Sequence, residues 1–272
     1  MKSVDVVANL RNERYVSTLL PRMREAWRIL GQKPEELVVP LGKMVDEMDR
    51  NGIERAFLVA SKGDAWEAPY DDIVKVVKEY PDKFSGIVGF NPFEGMKGVK
   101  AVERAITEDG FVGAHVYPHW FGRPPNDAIY YPFYAKCSEL GVPVQMQVGH
   151  ATPGTYLTSV ARPISLEDIA AYFRDLTIVG IHIGYPWTEE MISVAYRFPN
   201  VYIATDAHAP KYWEKTFVEY INGRGRKKVL FGTDYPVVGY DRATKEIDAL
   251  PLKEEVRPLL MRENALDVYK MR

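Results

Sequence analysis

Eight short apolar, β-branched runs recur along the whole of this 272-residue chain, each separated from the next by helical patterning. They fall at 4–8, 55–60, 84–90, 111–116, 142–148, 177–182, 201–205 and 228–231. None shows the clean polar alternation of a sheet with one wet face, so each reads as a parallel strand covered on both sides. Between them, Leu41, Met44, Val45 and Met48 repeat at helical spacing before Gly52, and Val99, Val102 and Ile106 do so before Gly110. Ser165 and Asp168 have the spacing of a capping box, and Thr188 precedes the acidic first turn of Glu189 and Glu190. Eight strand–helix units in this length predict an α/β fold, a (β/α)8 TIM barrel forming a single domain over residues 1–272. A doubly wound open sheet is the alternative. Residues 10–40 exceed an ordinary strand-to-helix loop and read as a helical insertion over the barrel mouth. Residues 149–164 make a second long connection of the kind that often carries function.

The charge balance, −2, gives no electrostatic reason to expect nucleic acid or an anionic membrane surface as a partner. The single cysteine, Cys137, cannot form an internal disulfide and fits a reducing, cytoplasmic location. It shares a helical face with Phe133 and Leu140, which is the setting of a structural thiol rather than a nucleophile. No apolar run is long enough to cross a bilayer, and Asp5 interrupts any leader pattern, so no signal peptide is expected.

In a barrel, reactive side chains gather at the C-terminal strand ends and in the loops just after them. His115, His150, His182 and His208 follow strands four to seven in turn, and His119 lies in the loop after strand four. All five histidines are thus expected at one face and outside helices. Asp206 and Asp234 share that face. Asp234 sits in the run Phe231-Gly232-Thr233-Asp234-Tyr235-Pro236, where the eighth strand opens into a loop. Any one histidine is as readily a satisfied core residue; their concentration is what points to a site.

Four segments carry a resemblance to a known family: Gly110 to Pro118, Leu140 to Gly149, Ile181 to Trp187, and Phe231 to Pro236, with Phe198 to Tyr202 and Glu263 to Leu266 in support. Over nearly its whole length the chain resembles the amidohydrolase superfamily, in the amidohydrolase-related branch that includes aminocarboxymuconate semialdehyde decarboxylase. The resemblance implies a hydrolase or a non-oxidative decarboxylase (a lyase) acting on a small carboxylated cyclic or aromatic molecule. It also implies a homo-oligomer. His182 matches the family histidine that ends strand six and acts on substrate or metal-bound water. Asp234 matches the aspartate that ends strand eight as metal ligand and proton shuttle. The family pattern of two histidines one residue apart on strand one falls here on Val7 and Asn9. A further family histidine on strand five falls on Gln147, and the basic residue often seen on strand four on His115.

Zinc favours imidazole, thiolate and carboxylate, and a catalytic site needs about three such ligands. Valine offers none, and the amides of Asn9 and Gln147 offer only neutral oxygens better suited to hard cations or hydrogen bonding. The expectation is therefore that the inherited metal site is lost. A rearranged zinc or manganese site would join Asp234 to His182, His208 or His150. Without a metal, His182 and Asp234 form an acid/base pair. Asn9 and Gln147 would polarise a substrate carbonyl or carboxylate. His115, Tyr117, His119, His150 and His208 would add polar groups. Arg162 would clamp an anion, and Tyr185 and Trp187 would supply aromatic walls. The ordinary alternatives are a solvated charge for Arg162, packing beside Pro186 for Trp187, and for Asp206 a cap on a helix near Pro210. A barrel that has lost catalysis and binds a small ligand or a protein is the competing reading of the whole chain.

Overall fold

The eight apolar runs become eight parallel strands in a computed structural model, which describes residues 2–33, 36–151, 153, 154 and 156–271. The strands are β1 (Ser3–Ala8), β2 (Ile53–Ala60), β3 (Phe84–Gly89), β4 (Gly113–Val116), β5 (Val144–Gln147), β6 (Ile178–Ile181), β7 (Val201–Ala204) and β8 (Val229–Leu230). Each pairs with its sequence neighbour, in the order β1 to β8. The ring closes at its mouth, where Ala8 bridges Tyr235, the Asn9 amide donates to the Tyr235 carbonyl (2.9 Å), and the Asp234 amide donates to the Val7 carbonyl (2.8 Å). This is the predicted TIM barrel rather than an open sheet.

Two apolar layers follow from the period-two geometry of the strands. Val4, Val6, Phe57, Val59, Ile87, Val179, Ile181 and Leu230 fill the barrel interior. The alternate residues Ala56, Leu58, Ala114, Val144, Ile178 and Ile203 face the helices. Those helices are α1 (Glu13–Ile29), α2 (Leu41–Arg50), α3 (Tyr70–Glu79), α4 (Met96–Thr107), α5 (Pro118–Phe121), α6 (Tyr131–Leu140), α7 (Leu166–Tyr172), α8 (Thr188–Arg197), α9 (Lys215–Asn222), α10 (Tyr240–Asp248) and α11 (Asn264–Val268). Cys137 is buried in α6. Ser165 flanks α7 without capping it; its hydroxyl donates to the Arg162 carbonyl instead (2.7 Å). Among the described residues no helix is long and apolar enough to cross a membrane.

Strain concentrates at one end of the barrel. Among the described residues, His182, Ile183, Ala207, Asp234 and Lys270 are the non-glycine positions with positive φ. The first four follow β6, β7 and β8. Side chains in this region of backbone space cost free energy and persist where the surroundings over-determine them. Gly149, after β5, has φ +84, and a Cβ there would lie 2.3 Å from the Tyr185 carbonyl oxygen. Only glycine lets these two loops meet.

Candidate active site

At this strained end lies a cavity of about 280 Å³. Asn9 and Arg11 enter it from the loop after β1, Tyr117 and Trp120 from the loop and helix after β4, and Gln147 and His150 from the end of β5. His182, His208 and Asp234 follow β6, β7 and β8. Helix α1, within the segment 10–40, covers one side with Tyr15, Leu19, Met23 and Trp27.

Asp234 is held by one amide. Asn9 Nδ2 lies 2.8 Å from Asp234 Oδ1 and 3.0 Å from the Tyr235 carbonyl, and the Tyr15 hydroxyl donates to Asn9 Oδ1 (3.1 Å). These partners fix the amide with its N–H face toward the carboxylate. Burial raises the Asp234 carboxyl from its ordinary 3.8 to about 6, against the hydrogen bond from Asn9 and the positive charge of Arg11. It is therefore ionised at neutral pH and close to its titration point.

His182 is held by a second amide and a second carboxylate. Gln147 Nε2 donates to the His150 carbonyl (2.7 Å), which fixes its N–H end, and lies 3.1 Å from His182 Nδ1. Nδ1 is thus the acceptor nitrogen, and the ring proton sits on Nε2. That nitrogen is 3.2 Å from Asp206 Oδ2 and 3.3 Å from the Tyr117 hydroxyl. The His182 backbone amide donates to Asp206 Oδ1 (3.2 Å). Asp206 therefore accepts from the backbone of a residue whose φ is +68 and sets its second oxygen beside the ring without a formed hydrogen bond. Burial, reinforced by the crowding of neighbouring imidazoles that would repel a second positive charge, holds His182 neutral, well below its ordinary value. Burial and the neighbouring Asp234 raise the Asp206 carboxyl.

The remaining expected residues divide. Burial lowers His208 to about 4, and Tyr185 lies between the rings of His208 (5.0 Å) and His150 (4.8 Å). His115 lies inside the barrel beneath the cavity, where its Nδ1 faces Gln145 Oε1 (3.3 Å) and its ring meets Tyr117 (4.6 Å). His119 is in the short helix α5, although the sequence suggested that no histidine would be helical, and its Nε2 donates to the Gly149 carbonyl (2.9 Å). Burial brings both to about 4. Arg162 is paired with Glu190 (2.9 Å) and stacked on Trp187 (5.3 Å); neither lines the cavity. Asp206 is no helix cap: its Oδ1 accepts from the His182 backbone, and the turn at Pro210–Tyr212 is preceded by Ala209.

Arg11, Tyr15, Trp27, Trp66 and Trp120 are among the cavity residues not singled out from the sequence. Arg11 extends the alternation Val7, Asn9, Arg11, which was the available signal. Trp120 lies in α5, stacked on Tyr117 (3.9 Å) and edge-on to Trp66 (4.6 Å), so an aromatic wall runs from Trp66 to His182.

The family model for amidohydrolases matches residues 23–271. The chain belongs to the amidohydrolase family. It is 32% identical over 239 residues to the 2-keto-4-carboxy-3-hexenedioate hydratase of Sphingobium sp. strain SYK-6, covering 72% of this chain and 69% of that protein. An uncharacterised TIM-barrel protein of Bordetella bronchiseptica superposes with a TM-score of 0.83 at 26% identity, over the full length of both chains. The 5-carboxyvanillate decarboxylase of Novosphingobium aromaticivorans, solved with manganese and 3-methoxy-4-hydroxy-5-nitrobenzoic acid, superposes with a TM-score of 0.75 at 17% identity, over 99% of this chain and 97% of that one.

The manganese in that decarboxylase raises the question of whether this amidohydrolase has donors for a divalent ion. The donor set does not fit one. The two strongest candidates, Asp234 Oδ1 and His182 Nδ1, each face an amide N–H, from Asn9 and Gln147. A cation at either atom would meet a donor hydrogen, and Val7 supplies nothing. Among the described residues no three histidine, cysteine or acidic side chains are grouped closely enough to hold a metal.

Proposed function

We propose that this amidohydrolase hydrolyses an ester or lactone bond of a small, planar, carboxylated molecule without a metal: Asp234, as general base, takes a proton from water as the water oxygen bonds to the carbonyl carbon, and returns it to the alkoxide released when the C–O bond breaks. The observation that carries this reading is the Asn9–Asp234 contact, in which an amide donor occupies the side of the carboxylate that a ligated metal would need. Asn9 leaves Asp234 oriented and ionised, with one edge toward the cavity. A base with a pKa of about 6 takes a proton from water at neutral pH while remaining largely available. Tyr117, backed by neutral His182 and by Asp206, sits where a developing oxyanion can accept a hydrogen bond. The aromatic wall of Trp66, Trp120 and Tyr117 suits a flat substrate.

Non-oxidative decarboxylation is the second reading, favoured by the raised Asp206 carboxyl behind His182, which could feed a proton toward a carbanion. The two readings differ in sign. A base mechanism loses rate as pH falls through about 6, whereas an acid mechanism gains it. The test is a panel of small carboxylated lactones and esters, together with hydroxybenzoates, assayed for acid release and for carbon dioxide between pH 5 and 9. Hydrolysis with an acid limb near 6 supports the first reading. Carbon dioxide release that falls as the pH is raised would replace it with the second.

A further inference from the structure

We infer that Arg11 is the anchor for the substrate's carboxylate, so that the cavity selects a planar monoanion held by its carboxylate end at the loop after β1. The inference rests on the reading of the cavity as a substrate site, and it names the group that does the recognising.

Arg11 lines the cavity beside Asn9 and Tyr15. Its Nε is buried with no hydrogen-bond partner, and among the described residues no carboxylate forms an ion pair with its guanidinium. Several arginines of this chain, Arg14, Arg28, Arg162, Arg197, Arg242 and Arg257 among them, each reach an acid within 4 Å, and Arg11 does not. A guanidinium is always charged, and burying part of it unpaired is costly, so its donors imply a partner that arrives from outside. Its planar fork matches a carboxylate with two parallel N–H···O bonds.

Asp234 is the competing explanation, because the charge of Arg11 lowers that carboxyl. Yet Arg11 forms no bond to it, and Asn9 already occupies Asp234 Oδ1. A counter-ion for Asp234 would close the gap; an anchor for a second anion would not. The rest of the lining agrees: burial holds His182 and His208 neutral, and among the described residues lining the cavity Arg11 is the one arginine, with no lysine beside it.

Binding can be read without turnover, because Trp27, Trp66 and Trp120 line the cavity and report occupancy by fluorescence. The probes are benzoate and its neutral isostere benzamide, titrated into the wild-type protein, Arg11→Gln and Arg11→Lys. The expected result is that wild type prefers benzoate at least tenfold, that Arg11→Gln removes the preference, and that Arg11→Lys restores part of it. A circular dichroism melt of each variant checks folding, and Arg11→Lys carries the test if Arg11→Gln does not fold. Equal binding of the two probes by wild type, or undiminished benzoate preference in Arg11→Gln, overturns the inference. Failure of every hydrolysis assay would remove the general-base reading and leave this one standing.

Discussion

Replacing Asp234 with asparagine tests the general-base reading through stability as well as rate. Asp234 has a folded pKa of about 6 against an ordinary 3.8. Between those values the folded chain binds more protons than the unfolded one, so stability falls as pH rises through this window and stays low above it. A gap of about two pH units at about 1.4 kcal/mol each amounts to about 3 kcal/mol at pH 7. Asp234 keeps an edge open to the cavity, and solvent there reduces the figure, so we expect Asp234→Asn to stabilise the protein by about 1–2 kcal/mol. Asparagine can turn its carbonyl oxygen toward Asn9 Nδ2 and keep the 2.8 Å contact, which is why the substitution removes charge without emptying the site.

Chemical denaturation at pH 7 and at pH 4.5 reads the effect. The gain should shrink to about a third at the lower pH, where the folded wild-type carboxyl is already protonated. Thermal melts at pH 7 should rise by a few degrees. Turnover should fall by about 10²–10⁴, the usual contribution of a positioned base. A variant that is destabilised at pH 7, stabilised equally at both pH values, or active within tenfold of wild type would refute the reasoning.

Other residues make independent predictions. Asp206→Asn should disturb His182 by weakening its backbone bond and removing the negative charge beside Nε2; nitrogen NMR of the imidazole should show the Nε2-protonated form mixed with the other tautomer, and the rate should drop at least tenfold. Tyr15→Phe removes one hydrogen bond from Asn9 and should cost about 1 kcal/mol, seen in denaturant midpoints. Val7→His with Asn9→His rebuilds two imidazole donors beside Asp234; after dialysis against zinc or manganese, the double variant should retain metal by elemental analysis in clear excess over wild type. Arg162→Ala breaks an exposed pair with Glu190 and a stack on Trp187, and should cost about 1 kcal/mol, with no effect on benzoate binding.

The barrel was legible because its signal is repeated. Each strand had to be apolar on both faces, and eight such runs leave few folds to choose from. The same logic placed Asn9, Tyr117, Gln147, His150, His182, His208 and Asp234 at one end, where the structure gathers them around one cavity. His115, His119, Arg162 and Trp187 show where position along the chain stops being informative. His115 is four residues before His119, yet one points into the barrel core and the other clamps the Gly149 carbonyl, because β4 ends and α5 begins between them. Arg162 has the composition of an anion clamp, but Glu190 reaches it from α8, a contact set by packing and invisible in sequence.

What the sequence could not reveal was how the absent ligands were replaced. Val7, Asn9 and Gln147, which stand where the sequence resemblance implies metal-binding side chains, read equally as decay or as redesign. The geometry separates the two. Decay would leave Asn9 and Gln147 free to turn their amides anywhere, whereas here each has its N–H end fixed by a backbone carbonyl, Tyr235 and His150. Each then directs that end at one reactive group, Asp234 or His182. Holding those groups also involves positive φ at both Asp234 and His182, a strain that a silent barrel has no reason to keep. Gln147→Ala should accordingly release His182 from its tautomer, and the spectroscopic change should match that of Asp206→Asn although the two residues lie at opposite nitrogens of the ring. An unchanged imidazole spectrum in Gln147→Ala would mean the amide is a bystander and the strained backbone alone sets the site.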